Sequence, residues 1–364
     1  MTADAAQRED GARPPTLWLC DGAWQAALED ELLRTGVRGP SSVGPGLVAT
    51  VGEPDDPAVA FAAQVLPSAE PCRAESIARW SQAACARIVE LADAAGAAWR
   101  LHVFAWPTDR FQSGSRRAAL VRARIVADLR ESKRRLARRL VESDDAPWEA
   151  DERLVQVCLT APDRGYVSAV DAQRRHVLRR CLSRFAAGWV PAAVDKRAPS
   201  RAFAKLVEVE RRLGRPLAAG ETCVDLGSSP GSWAYTAVAR GARVTAVDRS
   251  PLRDDLMRDP RLTFVRGDAF RFAPSQPVDW LLSDVIAFPQ RVRELLDVWL
   301  TAERCRYFCV TVKFRGRDDD PALEDVKRAL RRSPYEFCLR RLTANKNEAT
   351  AYGRRRSEPS LALC

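Results

Sequence analysis

Beyond residue 195, apolar positions fall into short runs that each end in or near an acid. These are TCVDL at 222–226, RVTAVD at 243–248, LTFVRGD at 262–268 and VDWLLSDV at 278–285, with RYFCVTVKF at 306–314 as a fifth. Segments with helical spacing lie between them at 232–240, 291–300 and 321–332. Strand-length runs alternating with helices predict an α/β fold, a parallel sheet covered by helices on both faces. The end differs: YEFCLRRL and EATAYG flank a polar TANKN, which predicts a closing antiparallel hairpin. Ligands in such folds bind outside the carboxyl ends of the strands, where the acids and the glycine loop after residue 226 collect.

The first half is less regular. TLWLCDG, GLVATVG, LHVFAWP and RLVQVCLTAP read as strands and WQAALEDELLRTG as a helix, which predicts an α+β region over 15–194. SRRAALVRARIVADLRESKRRLARRL, at 115–140, carries ten Lys/Arg against two acids. Val121, Ile125, Leu129, Leu136 and Leu140 stand at helical spacing within it, so it reads as one basic amphipathic helix. VPAAVDKRAPS reads as a linker near residue 195, ahead of a second domain over 195–364, and residues 1–14 as a loose polar tail.

Composition narrows the possibilities. No run of about 18 apolar residues is present, and the acidic, polar start is unlike a signal peptide, so a cytoplasmic protein without a membrane span is expected. Ten cysteines without a CxxC pair fit reduced thiols better than a disulfide framework or a zinc site, and no metal is expected. The net charge of +10 points to a polyanionic partner, most simply nucleic acid, although a solvated basic surface would show the same charge. Only six of the 58 basic residues are lysine: Lys133, Lys196, Lys205, Lys313, Lys327 and Lys346. Arginine stays protonated in proteins whereas lysine can act as a base, so a lysine at a candidate site is informative in this chain. Lys327 reads as belonging to a surface helix, and His102 and His176 lie outside the second half.

The glycine loop reads Gly227-Ser-Ser229-Pro230-Gly231-Ser232-Trp233. A dinucleotide fingerprint needs GxGxxG; here the middle glycine is missing and a proline stiffens the turn, which weakens a pyrophosphate reading. S-adenosylmethionine has no phosphate. It needs close backbone approach at its amino-acid end, which Gly227 and Gly231 allow, and a carboxylate on its ribose diol, which Asp248 supplies at the end of the second strand. Asp268, after the third strand, is placed to accept from the adenine amino group. A strand–loop–helix holding some other cofactor remains open on this motif alone.

DLGSSPGSW resembles the D-L-G-x-x-P-G-G-W loop of ribosomal RNA ribose 2′-O-methyltransferases, a family marked by a Lys-Asp-Lys-Glu tetrad. APSR, PGSWAY, FVRGDAFRFAP, the SDV strand with its helix ending in VWL, and EATAYGRR resemble the RlmM branch, which methylates a cytidine of large-subunit rRNA. The likeness covers residues 195–356. It implies a Rossmann-like S-adenosylmethionine methyltransferase domain preceded by a THUMP-like RNA-binding region. It also implies a tetrad of Lys205, Asp284, Lys313 and Glu348, with ribosomal RNA as partner. Three departures stand out: Ser232 replaces the second glycine, Ala202 and Phe203 replace a polar pair after PSR, and FRGRDDD at 314–320 is acidic where that family is basic.

On this reading a ribose 2′-oxygen attacks the sulfonium methyl, and Lys313 is the general base. A free lysine has a pKa of about 10.4. The sulfonium and Lys205 are the neighbouring cations that would favour its neutral form, with Asp284 orienting it and Glu348 positioning Lys205. The alternatives are methylation of a base or of another RNA, and a non-catalytic THUMP-like RNA binder. Base-nitrogen methylation would want paired prolines and an aromatic where SDVI stands.

Overall fold

A computed structural model describes residues 14–55, 57–93, 96–106, 112–191, 193–314 and 320–358. Most of the loose tail and most of the acidic FRGRDDD segment lie outside the described residues. The chain opens with a four-stranded antiparallel sheet: β1 (Thr16–Leu19), β2 (Arg38–Gly44), β3 (Leu47–Val51) and β4 (Gln64–Leu66), in the order β2-β3-β1-β4. Helix α1 (Gln25–Arg34) connects β1 to β2. A separate five-stranded sheet follows, with β5 (Glu70–Arg73), β6 (Trp99–Ala105), β7 (Leu140–Val141), β8 (Arg153–Ala161) and β9 (Arg164–Val170) in the order β5-β9-β8-β6-β7. The region expected as one α+β unit therefore contains two sheets.

Helices α2 (Ile77–Ile88) and α3 (Gln112–Ser132) cover one face of the second sheet. Trp80, Val121, Ile125 and Leu129 pack there with Trp99, Val155 and Val157. The single helix expected over 115–140 is not observed. The chain leaves helical geometry at Lys133 and makes a separate turn, α4 (Arg134–Ala137), and Leu140 joins β7 beside β6. Trp99 Nε1 donates to the Leu136 carbonyl at 2.9 Å, so the break carries Leu136 down onto the sheet. Apolar residues four apart point the same way before and after such a break, so the sequence pattern alone could not reveal it.

After α5 (Ala172–Val177) the chain reaches α6 (Phe203–Leu213) and a seven-stranded sheet. Its strands are β10 (Thr222–Leu226), β11 (Arg243–Asp248), β12 (Leu262–Arg266), β13 (Val278–Ser283), β14 (Cys305–Lys313), β15 (Tyr335–Arg340) and β16 (Glu348–Arg355). The order is β12-β11-β10-β13-β14-β16-β15. The first five strands are parallel, and β16 slots antiparallel between β14 and β15. Helices α7 (Ser232–Ala239), α8 (Asp254–Met257), α9 (Pro289–Thr301) and α10 (Asp320–Arg332) complete the α/β layering. Alternate strand residues face opposite layers: Val224 and Leu281 pack with Leu295 and Trp299 of α9, whereas Cys223 and Trp280 pack with Val209 of α6 and Ala237 of α7.

The two halves share a core. Trp18, Leu28, Val59 and Phe61 join the same buried cluster as Phe308, Phe337 and Leu339. The segment 57–63 lies along β15: Arg341 N–H donates to the Ala60 carbonyl at 2.8 Å, and Arg340 Nη2 to that of Ala63 at 2.7 Å. These contacts tie the segment to the C-terminal end of this edge strand. Lys327, expected on a surface helix, is 1% exposed and pairs with Glu31 of α1 and with Glu324. Glu31 also accepts the amides of Ala60 and Phe61 at 2.8 and 3.0 Å, so one carboxylate ties α1, α10 and the segment 57–63 together.

Among the described residues eight cysteines carry no disulfide, and most are buried, but Cys338 is disulfide-bonded, a departure from the expected set of reduced thiols. Among the described residues no helix is long and apolar enough to cross a membrane.

Truncating one partner of a buried ion pair leaves the other charge uncompensated, which typically costs about 3–5 kcal/mol. Lys327→Ala is therefore expected to lower unfolding free energy by about that amount in urea titrations, with Arg328→Ala, on the exposed side of α10, close to wild type.

Candidate active site

The loop after β10 is held by its own acid. Asp225, in the middle of the sheet, accepts from Ser228 Oγ at 2.6 Å and from the Ala234 amide at 3.0 Å. Burial pushes its pKa up to about 7, against the lowering effect of those two hydrogen bonds. Gly227 and Gly231 take positive φ, 74° and 105°, where only glycine is at ease. A Cβ on Gly227 would lie 2.8 Å from that of Val285, and one on Gly231 would lie 2.5 Å from Leu256 Cδ1. The turn is thus pressed against the loop after β13 on one side and against α8 on the other.

This turn borders a cavity of about 360 Å³ at the carboxyl ends of the strands. Of the residues expected to hold a cofactor, Gly227, Ser229, Pro230, Ser232, Trp233, Asp248 and Asp284 line it. Gly231 shapes the turn without lining it. The Asp248 carboxylate accepts the Ser229 amide at 3.0 Å and that of Ser250 at 2.9 Å. Asp268 lies apart, occupied by the Phe270 amide at 2.9 Å and by Arg249 at 3.1 Å, and it is not among the lining residues. Sequence reasoning passed over Asp225, Ser200 and Ser228, all of which line the cavity. Asp225 was visible as the acid of CVDLG, but nothing in that run marked it as a group facing a ligand.

The departures at 202, 203 and 232 find a structural account. Ser232 Oγ and Ser200 Oγ lie 2.7 Å apart, so a pair of hydroxyls stands where a glycine was expected. Ala202 contributes its carbonyl, which accepts from Trp233 Nε1 at 2.8 Å, and Phe203 is buried at the start of α6.

The four tetrad residues converge beside this cavity. Lys205 projects from α6, Asp284 follows β13, and Lys313 and Glu348 stand directly opposite each other on β14 and β16. Lys205 Nζ donates to both Asp284 carboxylate oxygens and to Glu348 Oε1, each at 2.8 Å. Lys313 Nζ donates to the Asp284 carbonyl at 2.8 Å and lies 3.3 Å from its Oδ1. Burial disfavours the Lys205 ammonium, but the two carboxylates outweigh it and its pKa is raised. Lys205 is therefore a fixed cation, whereas Lys313 has only a share of one carboxylate.

On the far side of Lys205 opens a larger cleft of about 840 Å³, reached by Lys196, Arg201, Lys205, Lys346 and Glu348. Both cavities touch Ser200 and Ala202, so the tetrad stands between two adjoining compartments. His102 is remote from both: it is buried, with Nε2 2.8 Å from the Arg184 carbonyl, and burial lowers its pKa to about 3.

Residues 198–312 match the FtsJ-like methyltransferase family. The matched region contains Lys205 and Asp284; Lys313 follows it immediately, and Glu348 lies further along the chain. The chain is similar to the ribosomal RNA large subunit methyltransferase M of Thauera aminoaromatica, at 35% identity over 166 residues, 43% of this chain and 46% of that protein. It is also similar to the protein of the same name from Halorhodospira halophila, at 35% identity over 205 residues, 52% of this chain and 60% of that one. The matched segments thus span about half the length of the curated relatives. Among solved structures, the fibrillarin pre-rRNA processing protein of Methanococcus jannaschii matches with a TM-score of 0.30 and 18% identity, over 40% of this chain and 70% of that one.

Asp225 sets a pH dependence. Its folded pKa lies above the ordinary 3.8, so the folded protein retains a proton that the unfolded chain releases between pH 3.8 and about 7. Stability of the unliganded protein is therefore expected to fall as pH rises through that window. A cationic ligand in the cavity would favour the carboxylate, so its binding should release a proton and tighten as pH rises towards 7. Asp225→Asn should flatten both dependences, read by thermal unfolding and by calorimetry in buffers of different ionisation enthalpy.

Proposed function

We propose that this protein is an S-adenosylmethionine-dependent methyltransferase acting on a ribose 2′-hydroxyl of RNA, with a cytidine of large-subunit (23S) ribosomal RNA as target. The observation that carries the reading is the Asp284 carboxylate shared between Lys205 and Lys313 at the mouth of the glycine-turn cavity. The FtsJ-like match and the names of the similar proteins support the reaction class and the RNA.

The residues present fit this cofactor. Asp248 offers a carboxylate to a ribose diol, the cradle at Gly227 would be filled by a Cβ, and the buried Asp225 suits a cationic ligand. Ser200 and Ser232 offer hydroxyls to an amino-acid end. Asp268 would have to give up Arg249 to reach an adenine. When bound, S-adenosylmethionine supplies an electrophilic methyl group.

The chain's own residues then prepare the nucleophile. Lys205 stays protonated between Asp284 and Glu348 and, turning one N–H away from Asp284, donates towards the target hydroxyl and holds it in place. Lys313 Nζ, once it has given up its own proton to solvent and left the Asp284 carbonyl, accepts the hydroxyl proton as the oxygen attacks. Asp284 keeps the two lysines together without claiming either fully, and Glu348 keeps Lys205 charged. The larger cleft, with Lys196, Arg201 and Lys346 around it, receives the nucleotide and its phosphates. The first half, residues 15–194, serves as a THUMP-like RNA-binding region in a cytoplasmic enzyme.

The test is a map of 2′-O-methyl groups in rRNA from cells with and without this gene. One modification should vanish and return with the wild-type gene. Lys313→Arg keeps the charge but cannot accept a proton at working pH, so purified variant should lose about 10²–10⁴-fold in methyl transfer, the usual worth of a general base, while still binding RNA. Near-normal turnover would remove Lys313 as the base.

A second outcome concerns the basic segment. Arg134, Arg135 and Arg138 are exposed, and no ion pair engages them among the described residues, whereas Arg124 and Arg130 pair with Asp128 and Glu142. RNA affinity should fall steeply with salt, and neutralising these three arginines should reduce the log–log salt slope by up to about 3. An unchanged slope would assign them to a solvated face.

A further inference from the structure

A cavity of about 230 Å³ lies between the N-terminal elements and the catalytic sheet, and neither the methyl-transfer chemistry nor the cofactor uses it. Phe61, Trp106 and Trp189 line it from the N-terminal side; Arg341, Thr343 and Asn345 line it from the loop between β15 and β16. Its size is below the roughly 300–1,000 Å³ of a drug-sized ligand site, which points to a small, flat occupant.

Three features say what that occupant is. The first is an aromatic left in water: Trp189 is 54% exposed, although its backbone is fixed by the neighbouring Val190 amide, which donates to Thr343 Oγ1 at 3.3 Å. The second is a set of directional polar groups. The Arg341 guanidinium sits 4.4 Å over the Trp24 ring, which itself stacks on Phe61, and its Nη2 donates to the Lys346 carbonyl at 2.6 Å. Its Nε is buried and has no hydrogen-bond partner among the described residues. The third is continuity with the tetrad. Asn345 Nδ2 is 3.3 Å from Glu348 Oε1, and Thr343 lines both this cavity and the cleft behind Lys205. An occupant here is thus held one short loop away from whatever presents its hydroxyl to Lys313.

We propose that this interdomain cavity is a subsite for the base of a nucleotide flanking the methylated one, stacked on Trp189 and read by Arg341. This rests on the reading of the protein as an RNA methyltransferase and names a part of its substrate that the tetrad does not touch. Stacking an unpaired base on an aromatic ring while polar side chains meet its edge is how proteins recognise single-stranded RNA. The subsite requires the strand to be unpaired where it crosses from the cleft into the cavity. Because its walls come from both halves, it also makes RNA recognition depend on their docking.

Trp189→Ala and Trp189→Phe test this against a fluorescein-labelled single-stranded hexamer of ribocytidine, followed by anisotropy over a range of salt, with adenosylmethionine titration reporting an intact fold. Base–aromatic stacking is worth about 1–3 kcal/mol per base, so Trp189→Ala should weaken hexamer binding roughly 5- to 150-fold at 1.4 kcal/mol per tenfold. The salt slope should not change, and Trp189→Phe should restore most of the affinity. Wild-type affinity in Trp189→Ala, a loss that comes with a changed salt slope, or no rescue by phenylalanine would each overturn the subsite while leaving the methyltransferase reading intact. A wild-type protein that binds no hexamer at all would overturn both.

Discussion

The carboxylate of Asp284 lies between two lysines that would otherwise repel each other. At an effective dielectric of about 20, unit charges 4 Å apart interact by about 4 kcal/mol, so two ammonium groups brought together without it would oppose the fold locally. With it, Lys205 and Lys313 share one anion unequally: two oxygens at 2.8 Å for the first, one at 3.3 Å for the second. That inequality separates their chemistry. Everything around the site serves it: β13 delivers Asp284, α6 delivers Lys205 from the neighbouring layer, and the β14–β16 pairing sets Lys313 opposite Glu348.

The same economy appears where the halves meet. Glu31 answers Lys327 and two backbone amides, and the segment carrying those amides is bonded to the end of β15. The N-terminal elements are therefore more than an appendage on a linker; they complete the hydrophobic core on one face of the seven-stranded sheet. Sheet edge, buried ion pair and interdomain cavity all fall along this seam.

The seven-stranded sheet was legible because parallel strands buried on both faces leave unbroken apolar runs, and because acids and glycines gather where those strands end. The tetrad was legible by another route. Lys205 lies on a helix far upstream of Asp284, and only the resemblance joined them. What stayed hidden has specific physical causes. Asp225 looked like one strand-end acid among several until its burial was known. Lys327 sits among charged neighbours on an amphipathic helix, so its sequence surroundings suggested solvent. The three-residue β4 and the segment 57–63 are too short or too irregular to carry a period, and the division of the first half into two sheets went unseen with them. Asp268 was placed correctly at a strand end, but its pairing with Arg249 is a surface contact that no motif encodes.

The position of β16 within the sheet has a consequence for the order in which the site can form. The glycine turn, Asp225 and Asp248 come from neighbouring strands close in sequence, so the ligand cradle rests mainly on local βαβ contacts. Glu348 meets Lys205 across 143 positions of chain, and only after the last hairpin has docked against β14 through β16. Contacts so distant in sequence form late, because the entropy of closing the loop must be met first. A partly folded or frayed molecule lacking that hairpin would keep its cradle and lose its reactive centre. The complete tetrad is thereby reserved for the chain whose final strand is in place.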